Sequence, residues 1–162
     1  MSRYELAQLN IGVMKGPLDS SVMADFVANL EPINALADAA PGFVWRLKSE
    51  EGNATEFRPM GDEIIVNMSV WRDLEALNHF VYKSDHVAIM RRRKEFFERM
   101  KEAFMVLWWV RKGHRPTVEE AIERLEILRK AGSTPEAFTF RDPYPSPDSE
   151  RGIAPFGDEC PA

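Results

Sequence analysis

Cysteine is nearly missing from this chain: among 162 residues there is one, Cys160, close to the C-terminus. A single cysteine rules out an intrachain disulfide and a cysteine-built zinc site, and it leads us to expect a reducing, cytoplasmic setting. Histidine is scarce as well, with three residues, His79, His86 and His114, and no spacing of histidines with carboxylates makes a metal site. No glycine-rich loop of the kind that cradles phosphate is present. An apolar run of membrane length is absent, as is a basic start followed by an apolar stretch, so neither an anchor nor a signal peptide is expected. Positive charge is also in deficit. The 21 Lys and Arg against 26 Asp and Glu give a net charge of −5, which argues against a general nucleic-acid binder, Arg91 to Lys94 being the local exception.

What is present reads as one globular domain. Hydrophobic residues make up 44% and charged residues 29%, and a chain of this length buries roughly two-thirds of its unfolded surface. We assign residues 1–141 to a single domain. Residues 142–162, with Pro143, Pro145, Pro147, Pro155 and Pro161 among small and charged residues, read as a poorly ordered tail.

The most informative stretch runs from Asp62 to Met100. It opens as a strand, Glu63 to Trp71, with Ile64, Val66, Met68 and Val70 on one face and Ile65, Asn67, Ser69 and Trp71 on the other. One face is uniformly apolar. The other carries an amide, a hydroxyl and an indole, which marks it as a candidate pocket. A short helix capped by Asp73 follows, then a second from about Asp85 to Met100 that carries His86, Met90 and Arg91 to Arg93. His86, Met90 and Arg93 can share one face of that helix.

Around this stretch the elements read in order. Tyr4 to Val13 alternates as a strand, with Gln8 and Asn10 on one side. Met23, Phe26, Val27, Leu30, Ile33 and Ala37 recur at helical spacing, interrupted by Pro32, where a kink or restart near Glu31 is expected. Phe43 to Lys48 is a strand, with Phe43, Trp45 and Leu47 on one face and Arg46 and Lys48 on the other. Ser49 to Gly61 reads as a loop. Phe104 to Val110 is a strand whose Trp108 and Trp109 must face opposite ways. Thr117 with Glu120 forms a capping box for a helix that Gly132 ends, and Ala137 to Phe140 is a possible short strand.

The order β-α-β-β-α-β with an added C-terminal helix predicts an α+β, ferredoxin-like (split βαβ) antiparallel sheet with helices on one face. Gln8, Asn10, Asn67, Ser69 and Trp71 would then lie on the bare face. Pairing of two such faces into a homodimeric α/β barrel, with a cavity in each half, would cover them.

Several segments carry a family resemblance: Leu6 to Gly12, Pro41 to Leu47, Asn67 to Trp71, Arg91 to Arg93 with Phe96 and Phe97, Leu107 to Val110, and Gly113 to Thr117. The chain resembles, from Leu6 to Arg141, a bacterial family of small uncharacterised proteins grouped with the dimeric α/β-barrel proteins of the antibiotic biosynthesis monooxygenase type. The resemblance implies a small-molecule enzyme that oxidises an aromatic or polycyclic substrate without a cofactor. Asn67 and Trp71 match the asparagine and tryptophan of such enzymes, and Ser84-Asp85-His86 resembles their serine-x-histidine. Haem-degrading relatives share an asparagine on the first strand, which Asn10 matches, and the same tryptophan; where they place the haem-ligating histidine, this chain has Phe80 and Val81. Asn67, Trp71 and His86 are the catalytic candidates, with Gln8, Asn10, Ser69, Met90 and Arg93 as ligand-binding candidates. The alternative is a non-catalytic ligand-binding dimer, with haem as one possible ligand.

Overall fold

A computed structural model describes residues 2–48, 60–61 and 63–149. Four strands, β1 (Tyr4–Val13), β2 (Phe43–Arg46), β3 (Ile64–Trp71) and β4 (Met105–Arg111), form one antiparallel sheet in the order β2-β3-β1-β4. The helices are α1 (Ala24–Asp38), α2 (Leu74–Lys83), α3 (His86–Met90), α4 (Arg93–Phe96) and α5 (Val118–Ala131). This is the expected ferredoxin-like topology. Most of the loop expected between β2 and β3 lies outside the described residues.

The two central strands have little freedom in register, because both of their faces are buried. On one face Ala7, Leu9, Val66, Met68, Val70, Val106 and Trp108 pack against Ala121, Leu125 and Leu128 of α5. On the other, Leu6, Trp71 and Leu107 pack against Leu74, Leu77 and Phe80 of α2 and Ala37 of α1. This reverses the expected assignment of faces. The face bearing the amides, expected to be bare, lies under α1 to α4, while the uniformly apolar face takes the C-terminal helix. Leu6, Trp71 and Leu107 supply enough apolar surface at one end of the amide face to seat α2.

Three elements depart from expectation. A bulge between Phe43 and Trp45 places Phe43 opposite Trp71 but Trp45 opposite Val70, so these two side chains fall on opposite faces and Arg46 lands opposite Ser69. The helix expected from Asp85 to Met100 breaks into α3 and α4, and its end turns extended. Lys15 N–H bonds to Phe96 C=O at 2.9 Å and Glu98 N–H to Val13 C=O at 2.8 Å, so this backbone serves the end of β1 instead of continuing a helix. Helix α1 runs through Pro32 without restarting, yet its stripe is poorly buried: Ala37 is its one buried residue and Val27 is 40% exposed. Ion pairs pin α1 near each end, Asp25 to Arg92 at 2.7 Å and Asp38 to Arg46 at 2.8 Å.

The expected cap of α5 is present, with Glu120 N–H donating to Thr117 Oγ1 at 3.1 Å, but the Glu120 carboxylate turns to His114 Nε2 at 3.0 Å instead of completing the box. Beyond α5 the chain crosses back. Phe138 exchanges two backbone hydrogen bonds with Leu107, Trp109 Nε1 donates to Tyr144 C=O at 2.9 Å, and Asp148 accepts from Ser2 and Arg3. Residues 142–149, at the start of the stretch expected to be a loose tail, are thus tied to the body; those after 149 lie outside the described residues. Among the described residues no helix is long and apolar enough to cross a membrane.

Candidate ligand cleft

The antiparallel pairing of β1 with β3 sets Asn10 directly opposite Asn67 and Gln8 opposite Ser69. Opposed side chains on one face stand about 5 Å apart at Cβ, close enough for short polar side chains to join. They do. Trp71 Nε1 donates to Ser69 Oγ at 2.8 Å, Gln8 Nε2 donates to the same oxygen at 2.8 Å and to Asn67 Oδ1 at 2.7 Å, and Asn10 Nδ2 donates to Gln8 Oε1 at 3.3 Å and Asn67 Oδ1 at 3.5 Å. Five sequence-predicted residues therefore form a single network.

Burial falls along this network. Trp71 is 1% exposed, Gln8 4% and Ser69 7%, Asn10 is half-buried, and Asn67 is exposed. A strand flanked on both sides, on a face that helices cover elsewhere, shows a side chain to solvent only where the cover is open. Asn67, and in part Asn10, are where this face is left open to solvent. Met90 and Met105 are half-buried and pack on the neighbouring apolar cluster. A separate cleft of about 540 Å³, lined by Met14 to Asp19 and Glu63, holds none of the predicted site residues.

Trp71 is not an open wall. Phe80 stacks on it at 5.0 Å and Phe43 meets it edge-on at 5.4 Å. His86 touches the other end of this stack, 4.9 Å from Phe80, with Nδ1 3.5 Å from Val81 C=O. Burial pushes the His86 pKa below the usual histidine value, a shift the Val81 carbonyl opposes. His86 is thus joined to Trp71 through Phe80 and not to the amides. Ser84 places it, accepting from His86 N–H at 3.2 Å.

Arg93 lies off the network at the end of the sheet. Its Nη2 donates to Ile11 C=O at 2.8 Å, its Cζ stands 4.3 Å from the Phe104 ring centre and 5.0 Å from that of Phe97, and burial lowers its pKa from the ordinary arginine value. No carboxylate among the described residues pairs with it. Arg46 went unpredicted as a neighbour of the site. It falls on the amide face opposite Ser69, with its side chain 13% exposed and bound to Asp38. The alternation of β2 hid it because the bulge is not visible in the residue pattern. Trp109 is the tryptophan of β4 on the amide face, but Tyr144 and Phe138 cover it.

A haem does not fit these residues. At the position where a ligating histidine would stand, Phe80 is 8% exposed and fills the space between Trp71 and His86. Among the described residues no cluster of His, Cys, Asp and Glu is placed to hold a metal ion.

A ferredoxin-like α+β domain with an amide-floored opening beneath its helices defines the class. The chain belongs to the family described as a domain of unknown function, DUF3291, whose model matches residues 5–153. No curated protein matches it. Among solved structures it is similar to SnoaB, a cofactor-independent oxygenase from Streptomyces nogalater, with 17% identity over 70% of this chain and 96% of that one and a TM-score of 0.46. It is also similar to a conserved protein from Methanosarcina mazei Go1, with 14% identity over 68% and 94% of the two chains and a TM-score of 0.48.

Proposed function

We propose that the chain is a small-molecule enzyme related to the antibiotic biosynthesis monooxygenases, oxidising an electron-rich aromatic compound with molecular oxygen and no cofactor. The observation that carries this reading is the Asn67 carboxamide. It is exposed on a strand with neighbours on both sides, its oxygen is held by Gln8, and its Nδ2 has no partner among the described residues. Such a group can donate to the oxygen of a substrate phenolate as charge develops there. The sequence resemblance supplies the oxidation: Asn67 and Trp71 stand at the spacing of the family's asparagine and tryptophan. In this reaction a phenolic ring carbon loses hydrogen and gains one oxygen atom, the other leaves as water, and the product is a quinone. The protein's part is to orient the ring and stabilise its anion.

A second reading, a binding protein without chemistry, is favoured by the burial of Trp71 beneath Phe80 and Phe43, which keeps the indole from a compound resting on Asn67. One assay separates the two. With 1,5-dihydroxynaphthalene in air, oxygen uptake matched one-to-one by hydroxynaphthoquinone, falling about 100-fold in Asn67→Leu, supports the enzyme; saturable binding with no uptake above the protein-free rate supports the binding protein. We also propose that the chain forms a homodimer, through the part of the apolar sheet face beyond α5 where Val44, Trp45, Leu47 and Ile64 are partly buried.

A further inference from the structure

Gln8 is a buried carboxamide in the middle of β1, and a group of that kind is tolerated when its donors and acceptor are matched. All of them are: Nε2 serves Asn67 Oδ1 and Ser69 Oγ, and Oε1 receives Asn10 Nδ2. The direction of the network starts at Trp71, because an indole N–H can only donate. Ser69 Oγ therefore accepts from Trp71, and accepts from Gln8 as well. Asn67 Oδ1 accepts from Gln8 and Asn10. The acceptor oxygens of Gln8, Asn67 and Ser69 are each engaged by an internal donor, Asn10 Oδ1 on the half-buried neighbour takes none from the strip, and the group that the exposed Asn67 turns outward is its N–H₂.

We propose that Gln8 is a positioning residue that fixes the Asn67 carboxamide with its N–H₂ outward, and that the cleft consequently selects compounds presenting an acceptor oxygen, a carboxylate or phenolate on a planar ring. This rests on the reading of the Asn67 opening as the ligand cleft. Asn67 alone would not set such a preference, since a free carboxamide turns over and offers its oxygen equally well. With Gln8 holding that oxygen, the turned form would set two N–H groups against each other and lose a bond from Asn10.

Two isosteric probes test it: 2-naphthoate, which offers only acceptor oxygens, and 2-naphthamide, which is neutral and also carries donors. The wild-type protein is expected to bind 2-naphthoate about tenfold more tightly, the scale of one charge-assisted hydrogen bond. In Gln8→Met the ratio should fall to about one, with 2-naphthamide affinity changed little; a purely structural role for Gln8 would weaken both probes alike and leave the ratio. A ratio that stays at its wild-type value in Gln8→Met, or one near unity in the wild type, overturns the proposal. If Asn67→Leu weakens both probes in that case, the cleft itself stands and only the role of Gln8 is lost; probes indifferent to Asn67→Leu, or no binding of either, sink the cleft with it. Side-chain amide exchange by NMR on the wild-type protein keeps the test independent of how the variant folds. Slow exchange at Gln8 Nε2 and fast exchange at Asn67 Nδ2 are expected, and the reverse contradicts the proposal.

Discussion

His86 shows how burial sets the behaviour of a residue before any chemistry is assigned to it. Its imidazole lies against Phe80 and the Val81 carbonyl, and burial holds it neutral at pH 7. A group with a lowered folded-state pKa binds its proton more readily in the unfolded chain. The stability it contributes is therefore complete above 6.5, the ordinary value, and is lost as pH falls below that toward the folded-state pKa. Thermal melts from pH 7.5 to 5 should show a wild-type decline that His86→Gln reduces. Equal declines in the two proteins would mean that His86 takes up its proton as readily in the fold as in the unfolded chain. A neutral imidazole could accept a proton, but it stands one ring away from Trp71 and apart from the amides, so its position supports a packing role before a catalytic one.

At the scale of elements, the contact between β1 and the end of α4 depends on the absence of a side chain. A Cβ on Gly12 would lie 2.5 Å from Phe97 Cδ1, and Phe97 belongs to the cluster of Met14, Met23, Ile65 and Phe96 that closes this end of the sheet. Gly12→Ala should destabilise the fold by about 1–3 kcal/mol, measured by urea denaturation, and should also disturb the seat of Arg93 on the Phe97 ring. No loss of stability would mean that Phe97 is free to move aside. Much at this scale was legible in the sequence. The alternation of Tyr4 to Val13 and of Ile64 to Trp71 gave the strands and placed the amides on one side, and Thr117 gave the start of α5. The bulge at Val44 was not legible, since its residues alternate as an unbroken strand does. Nor was the break between α3 and α4, which depends on hydrogen bonds to β1 that helical spacing does not reveal.

For the molecule as a whole, the sequence does not reveal which sheet face the helices cover, and the reason lies in β1. Leu6 is as fully buried as Ala7, and Gln8 beside Leu6 is 4% exposed, so both faces of the strand are buried and the pattern does not say which one the ferredoxin-like helices take. The anchoring of the C-terminal segment was hidden for a related cause: its composition is that of a tail, while its hold comes from a few long-range contacts. Asp148 accepts from the Arg3 backbone N–H and from Ser2 and Ser146, which pulls its carboxyl down to about 2, and Tyr144 caps Trp109. Ending the chain at Arg141 should therefore lower stability by about 2–4 kcal/mol, from the burial around Tyr144 and the loss of its part-buried bond from Trp109, near 1 kcal/mol. Unchanged denaturation would show these contacts to be idle.

Both the proposed oxidation and the proposed selectivity require a ligand to rest on the amide strip at Asn67. Chemical-shift mapping of the isotopically labelled protein against 2-naphthoate tests it most directly. Saturable shifts are expected in the side-chain amides of Asn67, Asn10 and Gln8, with smaller changes at the Trp71 indole, and their loss is expected in Asn67→Leu. Shifts confined to the separate cleft around Met14 to Asp19, with the three amides unmoved, would contradict it.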